Sequence, residues 1–202
     1  KVGEPWGHNV ERWTHPIFRR AYQNAKTLIE SGHDPLRIVC ERAHEVGILL
    51  YPSLIVQWGS DTRRPLSSYE DYQAALQDGT NSYGFERSSD FRFENKHLEI
   101  GARGDLPPGF RGADFLDFKH QEVQDERFAL IAETLTNYDV DGFELQLLRA
   151  PAWFHYFHPN ETDAGRPIMT EWVRRVYEAV KKSGPERELA IRIPADVDLC
   201  LS

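Results

Sequence analysis

Apolar residues recur at helical spacing behind Pro16: Ile17, Ala21, Ala25, Leu28 and Ile29. Proline suits a first helical position, where its missing N–H costs nothing, and Gly32 supplies the stop. Asp34-Pro35 predicts a second helix with Asp34 as N-cap. Its stripe is Leu36, Val39, Cys40, Ala43 and Val46, and Gly47 ends it. The run from Ile48 to Val56 is almost continuously apolar, as in a strand buried on both faces, with Pro52 marking its end or a bulge. A third helix is predicted over 121–138, with Phe128, Ile131, Ala132, Leu135 and Tyr138 on one face. Asp139-Val140-Asp141-Gly142 turns the chain into a second strand, Phe143 to Leu148. Residues 149–168 read as loop. Residues 170–183 read as a helix with Trp172, Val173, Val176, Tyr177 and Val180 inward, broken by Gly184-Pro185. A third strand, Leu189 to Pro194, follows, and another helix begins after it.

Helices alternating with strands imply a parallel α/β sheet with crossover helices, either doubly wound or a (β/α)8 barrel. No Gly-rich turn follows a strand, which argues against the nucleotide-binding open sheet. The two long irregular stretches both follow strand C-terminal ends, where a barrel carries its active-site loops. The first, about residues 57–119, is rich in Gly and Pro and holds one plausible short helix, Ser68 to Leu76. The expectation is therefore a partial (β/α)8 barrel with a long inserted βα loop. A full barrel takes about 250 residues, and three strands are less than half of its set. Lys1 opens the chain with no apolar leader, and the last residues fall inside a starting helix. The expectation is that residues 1–202 are one domain, part of a longer barrel truncated at both ends. Left alone, such a piece would expose sheet edges and self-associate.

Charge narrows the function. Against 24 Lys and Arg stand 32 Asp and Glu, a formal net charge of −8, which disfavours a nucleic-acid binder. No apolar run is long enough to span a membrane. Two cysteines exclude a disulfide-dense scaffold and a multi-cysteine zinc site, and Cys40 reads as core. No cofactor motif stands out.

The run His120-Gln121-Glu122-Val123, then Tyr138-Asp139-Val140-Asp141-Gly142-Phe143-Glu144-Leu145, then Leu148-Arg149-Ala150-Pro151 resembles the bacterial glycosyl-hydrolase-like (β/α)8-barrel proteins. The segment Asp34 to Leu54 and the close Ile193-Pro194-Ala195-Asp196 are similar to that family as well. The resemblance covers most of the chain from Val2 onward; the run Asp139 to Leu145 is its most specific part. It implies a barrel that acts on carbohydrate, or descends from enzymes that do. Where the family often has Asp two residues after this Glu, the chain has Gln146, so a charge is lost.

Glu144 and Gln146, two apart on a strand, face one side; Phe143, Leu145 and Leu147 face the other. Glu144 then lies inside the barrel towards its C-terminal mouth. It serves either as catalytic acid/base or nucleophile, or as a structural ion-pair member, with Arg149 or an Arg from another strand as partner. Gln146 and Arg149 would orient substrate hydroxyls. Glycoside hydrolysis normally needs a second carboxylate. Asp196 follows the third strand but serves equally as a helix cap, and Asp90, Glu99 and Asp105 have no positional argument. Of 24 aromatic residues, ten lie in 57–119 and four in Trp153-Phe154-His155-Tyr156-Phe157. These loops should share one face. Trp58 and Trp153 are the candidate sugar platforms, with His155 beside them; the Phe residues suit a small core of the loop itself. His155 and His158 have a metal-ligand spacing but no third ligand, so no metal is assigned. His120 reads as a turn or capping residue. Three readings result: a glycoside hydrolase, a carbohydrate-binding barrel without chemistry, and an inactive fragment.

Overall fold

In the computed structural model the chain is described over residues 16–57, 90–104, 106, 112–113, 115–148, 152–155 and 165–193. Pro16 opens α1 (Pro16–Glu30), and Gly32, at φ 82°, turns the chain out of it. Asp34 caps α2 (Pro35–Glu45) by accepting from the amides of Leu36 at 3.0 Å and Arg37 at 3.2 Å. Its other oxygen accepts the Tyr138 hydroxyl at 2.6 Å, so the cap is also a tertiary contact. Among the described residues the sheet has three strands, β1 (Ser53–Ile55), β2 (Gly142–Gln146) and β3 (Glu188–Arg192). All pair in parallel in the order β1-β2-β3. Between β1 and β2 lie a short α3 (Asp90–Glu94), two 3-10 turns (Lys96–Leu98 and Ile100–Arg103) and α4 (Gln121–Asn137). Helix α5 (Gly165–Ser183) leads to β3. The chain is a mixed α/β protein with a small parallel sheet, as the alternation of elements predicts.

One sheet face is closed over β2, while Ile191 at its β3 edge is 41% exposed. Phe143 and Leu145 of β2 pack with Ile131, Leu135, Trp172, Val176 and Val180 of α4 and α5. Each fully buried side chain of this size stabilises the fold by about 1.5–3 kcal/mol. Trp172 also donates its indole N–H to the Gln124 carbonyl at 3.0 Å and meets the Phe118 ring edge-on at 5.3 Å.

Several expectations need correction. The first strand is only Ser53–Ile55; ahead of it Leu50 is tied to Asp141, just before β2, through its carbonyl at 3.0 Å and its amide at 2.7 Å. Pro52 immediately precedes the strand rather than ending it: without an N–H, it contributes its carbonyl, which accepts from Glu144 N at 2.8 Å. The second and third strands each begin one residue earlier and stop two earlier than predicted. In α2 only Cys40 and Ala43 of the stripe are buried; Val39 and Val46 are each 49% exposed. In α4 the buried line is Val123, Arg127, Ile131, Thr134 and Leu135. Phe128 sits beside it under the Arg175 guanidinium, 3.8 Å from its ring centroid. Helix α5 begins at Gly165, five residues early, and Tyr177 on it is 49% exposed. The predicted helix from Ser68 to Leu76 lies outside the described residues. Among the described residues no helix is long and apolar enough to cross a membrane.

Candidate functional site

Alternation along the strands puts Ser53 and Ile55, Gly142, Glu144 and Gln146, and Glu188, Ala190 and Arg192 on the second sheet face. This face is polar and only partly covered. In the register Ser53 and Ala190 flank Glu144, and Arg192 lies beside Gln146. The Ser53 hydroxyl donates to Glu144 Oε1 at 2.8 Å, and Arg192 Nη2 donates to Oε2 at 3.2 Å. The same nitrogen stands 3.1 Å from Oε1, so Nη2 alone faces both carboxylate oxygens. Glu144 is 20% exposed and Arg192 53%, so the carboxylate is fixed yet reachable. At the opposite end of the same face the Tyr51 hydroxyl donates to Glu188 Oε2 at 2.7 Å, and that bond raises the Tyr51 pKa. A Cβ on Gly142 would collide with the Tyr51 ring and the Glu188 carbonyl, so only glycine admits this contact.

The ends of β1 and β2 carry a second polar group. Gln57, two residues past β1, is 1% exposed. Its Nε2 donates to the Leu116 carbonyl at 2.7 Å and the Ala152 carbonyl at 2.9 Å. Phe118 N donates to the Trp153 carbonyl at 2.9 Å. The end of the long excursion and the loop after β2 are thus joined to each other and to the end of β1. Trp153 is half-buried, with its ring edge-on to Phe118 at 5.3 Å, and His155 is buried. Phe115 forms a small cluster with Ile100, Leu106 and Ala152, whereas Phe118 and Phe91 join the main core.

Other polar clusters have structural partners. Arg92 donates to Glu99 at 2.9 Å, and Lys96 meets the same oxygen at 2.9 Å. Buried Asp117 accepts the Lys119 amide at 3.0 Å and faces its ammonium at 2.9 Å. His120 stands at the N-cap of α4 without a side-chain capping bond. Burial holds its imidazole below the ordinary range against the pull of Asp117. His44 Nε2 and Asp141 Oδ2 are 3.0 Å apart, and the same oxygen accepts the Leu50 amide at 2.7 Å. A groove of about 720 Å³ at the ends of α4 and α5 is lined by Arg37, Tyr138, Asp139, Lys182 and Arg187 among others. There Arg37 donates to the Asn137 carbonyl, and Arg187 to those of Leu135 and Tyr138. These cations close the last carbonyls of a helix. Among the described residues no group of three or more His, Cys, Asp or Glu could hold a metal ion.

Of the residues singled out from sequence, Glu144 and Gln146 share the open face, while Trp153 and His155 stand in the loop after β2. Trp58, Arg149, Asp105, His158 and Asp196 lie outside the described residues. Among the described residues the arginine beside Glu144 is Arg192 of another strand, one of the two options the sequence left open; the other, Arg149, lies outside them. Sequence reasoning missed Ser53, Arg192 and Gln57. Only Gln57 left a trace: it continues the Ser53–Ile55 alternation as a polar residue closing an apolar run. No family model matches the chain, and no curated protein matches it.

Proposed function

We propose that this chain is a glycoside-hydrolase-like protein whose three strands form one side of a (β/α)8 barrel, with Glu144 as the carboxylate that meets the sugar. The observation that carries the reading is the Glu144 carboxylate, held by Ser53 and Arg192 on the partly covered sheet face. A carboxylate fixed in orientation yet 20% exposed is suited to protonate a leaving group, accept a proton, or attack an anomeric carbon. The loops tied together by Gln57 rise from the same strand ends, and the second of them carries Trp153, half-buried against Phe118, as the candidate sugar platform. The family resemblance of the run Asp139 to Leu145 adds the substrate class.

In the test, the purified chain is incubated with a panel of oligosaccharides and reducing ends are counted. Glu144→Gln abolishes their release and leaves the melting temperature nearly unchanged. Unaltered turnover in the variant overturns the assignment.

Gln146 favours a second reading, a carbohydrate-binding barrel without chemistry. It stands where the family often has Asp, and Glu188, the other carboxylate of this face, is engaged by Tyr51 at the far end of the strands. This reading expects saturable oligosaccharide binding with no product. Any product lost in Glu144→Gln refutes it.

A further inference from the structure

We infer that the carboxamide oxygens of Gln57 and Gln146 are the hydroxyl-reading part of the Glu144 site and select a neutral, hydroxyl-rich sugar over an anionic one. This deepens the carbohydrate reading and rests on it. Both oxygens are buried and have no hydrogen-bond partner among the described residues. An acceptor left in that state costs about 1–3 kcal/mol, which folding alone gives no reason to retain.

The direction of the Gln57 oxygen is set by its surroundings. Both hydrogens of its Nε2 go to main-chain carbonyls, of Leu116 and Ala152. Turning the amide over would bring an oxygen against those two carbonyl oxygens, so Oε1 points away from them. Val56, at 0% exposure, belongs to the closed core, so alternation turns Gln57 to the Glu144 side. Gln146 shares that side, one strand over and two residues above Glu144. From the Glu144 carboxylate to the strand ends, this column presents acceptors, with Arg192 already committed to Glu144. Such a surface welcomes O–H donors and repels carboxylate or sulfate groups. Neither oxygen meets solvent, so a sugar hydroxyl reaches them by displacing the atoms packed around them. Gln57 keeps its orientation through that motion because its two donors stay anchored.

The test uses the full chain with cellotriose, xylotriose and maltotriose as neutral probes and trigalacturonic acid as the anionic one. Binding is followed by calorimetry and by the 13C shift of each glutamine side-chain carbonyl. Expected are binding of at least one neutral probe, none of the anionic one, and a shift of the Gln57 and Gln146 carbonyl signals at saturation. Gln146→Met keeps the volume and removes the orphan acceptor. It should hold or raise the melting temperature while weakening neutral-sugar binding roughly 3- to 10-fold, the worth of one hydrogen bond. Gln57→Met also loses two donor bonds and unfolds more easily, so the carbonyl shift is the decisive readout at that position. Equal binding of trigalacturonic acid overturns the inference. So does Gln146→Met with lower stability and unchanged affinity, which identifies an internal water as the partner. If a neutral probe binds and Glu144→Gln weakens it while the glutamine signals stay still, this inference fails and the carbohydrate reading survives. If no neutral probe binds, the carbohydrate reading fails and takes this one with it.

Discussion

The two faces of the sheet are built from alternate residues of the same three strands and differ in almost everything else. On one, Phe143 and Leu145 are buried against α4 and α5 in a continuous apolar core. On the other, Ser53, Glu144 and Arg192 make a polar triplet that remains partly exposed. Burial of apolar area stabilises the first face. The second contributes little to stability and can therefore carry chemistry. Period-two alternation lets one five-residue strand serve both.

The largest effect should come from the closed face. Trp172→Ala removes a fully buried ring, an indole bond to Gln124 and an edge contact with Phe118. A loss of about 3–5 kcal/mol is expected in denaturant titration. A loss below about 1 kcal/mol would break the contrast between the faces.

Gly142→Ala probes the junction between them. The new methyl meets the Tyr51 ring and the Glu188 carbonyl, and about 1–3 kcal/mol should be lost. Tyr51→Leu in the same chain should recover part of this, because the ring can be trimmed and the β3 backbone cannot. Full recovery would show that the sheet backbone yields.

Next in size is a pair of carboxylates away from both faces. Burial works against the ionised form of Asp34, but the Tyr138 hydroxyl and the Arg37 and Leu36 amides outweigh it, and its pKa is lowered. That of Asp141 is lowered first by the Leu50 amide and then, against burial, by His44. Groups with depressed folded-state values stabilise the fold above their unfolded pKa, near 4, and lose that contribution as pH falls through the folded value. Unfolding curves between pH 6 and 2 should steepen below about pH 4. Asp34→Asn and Asp141→Asn should each flatten them, and Asp34→Ala should cost about 1 kcal/mol at pH 7 as a lost cap. Tyr138, pushed up to about 12 by burial and by Asp34, gives the opposite limb. Its contribution is intact below about pH 10 and lost as pH rises towards 12. A variant profile that overlays the wild type would remove these groups from the account.

The smallest stability effect belongs to the open face. Arg192 is 53% exposed, so its pair with Glu144 is solvent-screened. Glu144→Gln and Arg192→Gln should each shift unfolding by less than about 1 kcal/mol. A larger loss in both would make Glu144 a structural ion-pair member instead of a functional carboxylate.

Helix starts marked by proline or a capping residue were legible, because a cap is local chemistry, whereas α5 begins at Gly165, five residues before its predicted start. Pro16, and Asp34 with Pro35, mark their helices within a few residues of sequence. The sides of Glu144 and Leu145 were legible for the same reason, since alternation needs only neighbours. Strand ends were not: Ile48 to Leu50 are as apolar as Leu54 and Ile55, and only the reach of β2 decides which of them pair. Nor was the burial of Val39, Val46 or Tyr177, which depends on what packs across a helix.

The sequence by itself determined the alternating elements, the capped helices and the strand face that bears Glu144, because each follows from interactions within a few residues. Tertiary structure decided that Ser53 and Arg192, 91 and 48 residues away, hold that carboxylate. It also decided that Gln57 ties two distant loops together. Those contacts depend on strand order and register, which free energy fixes only when the whole apolar face closes at once.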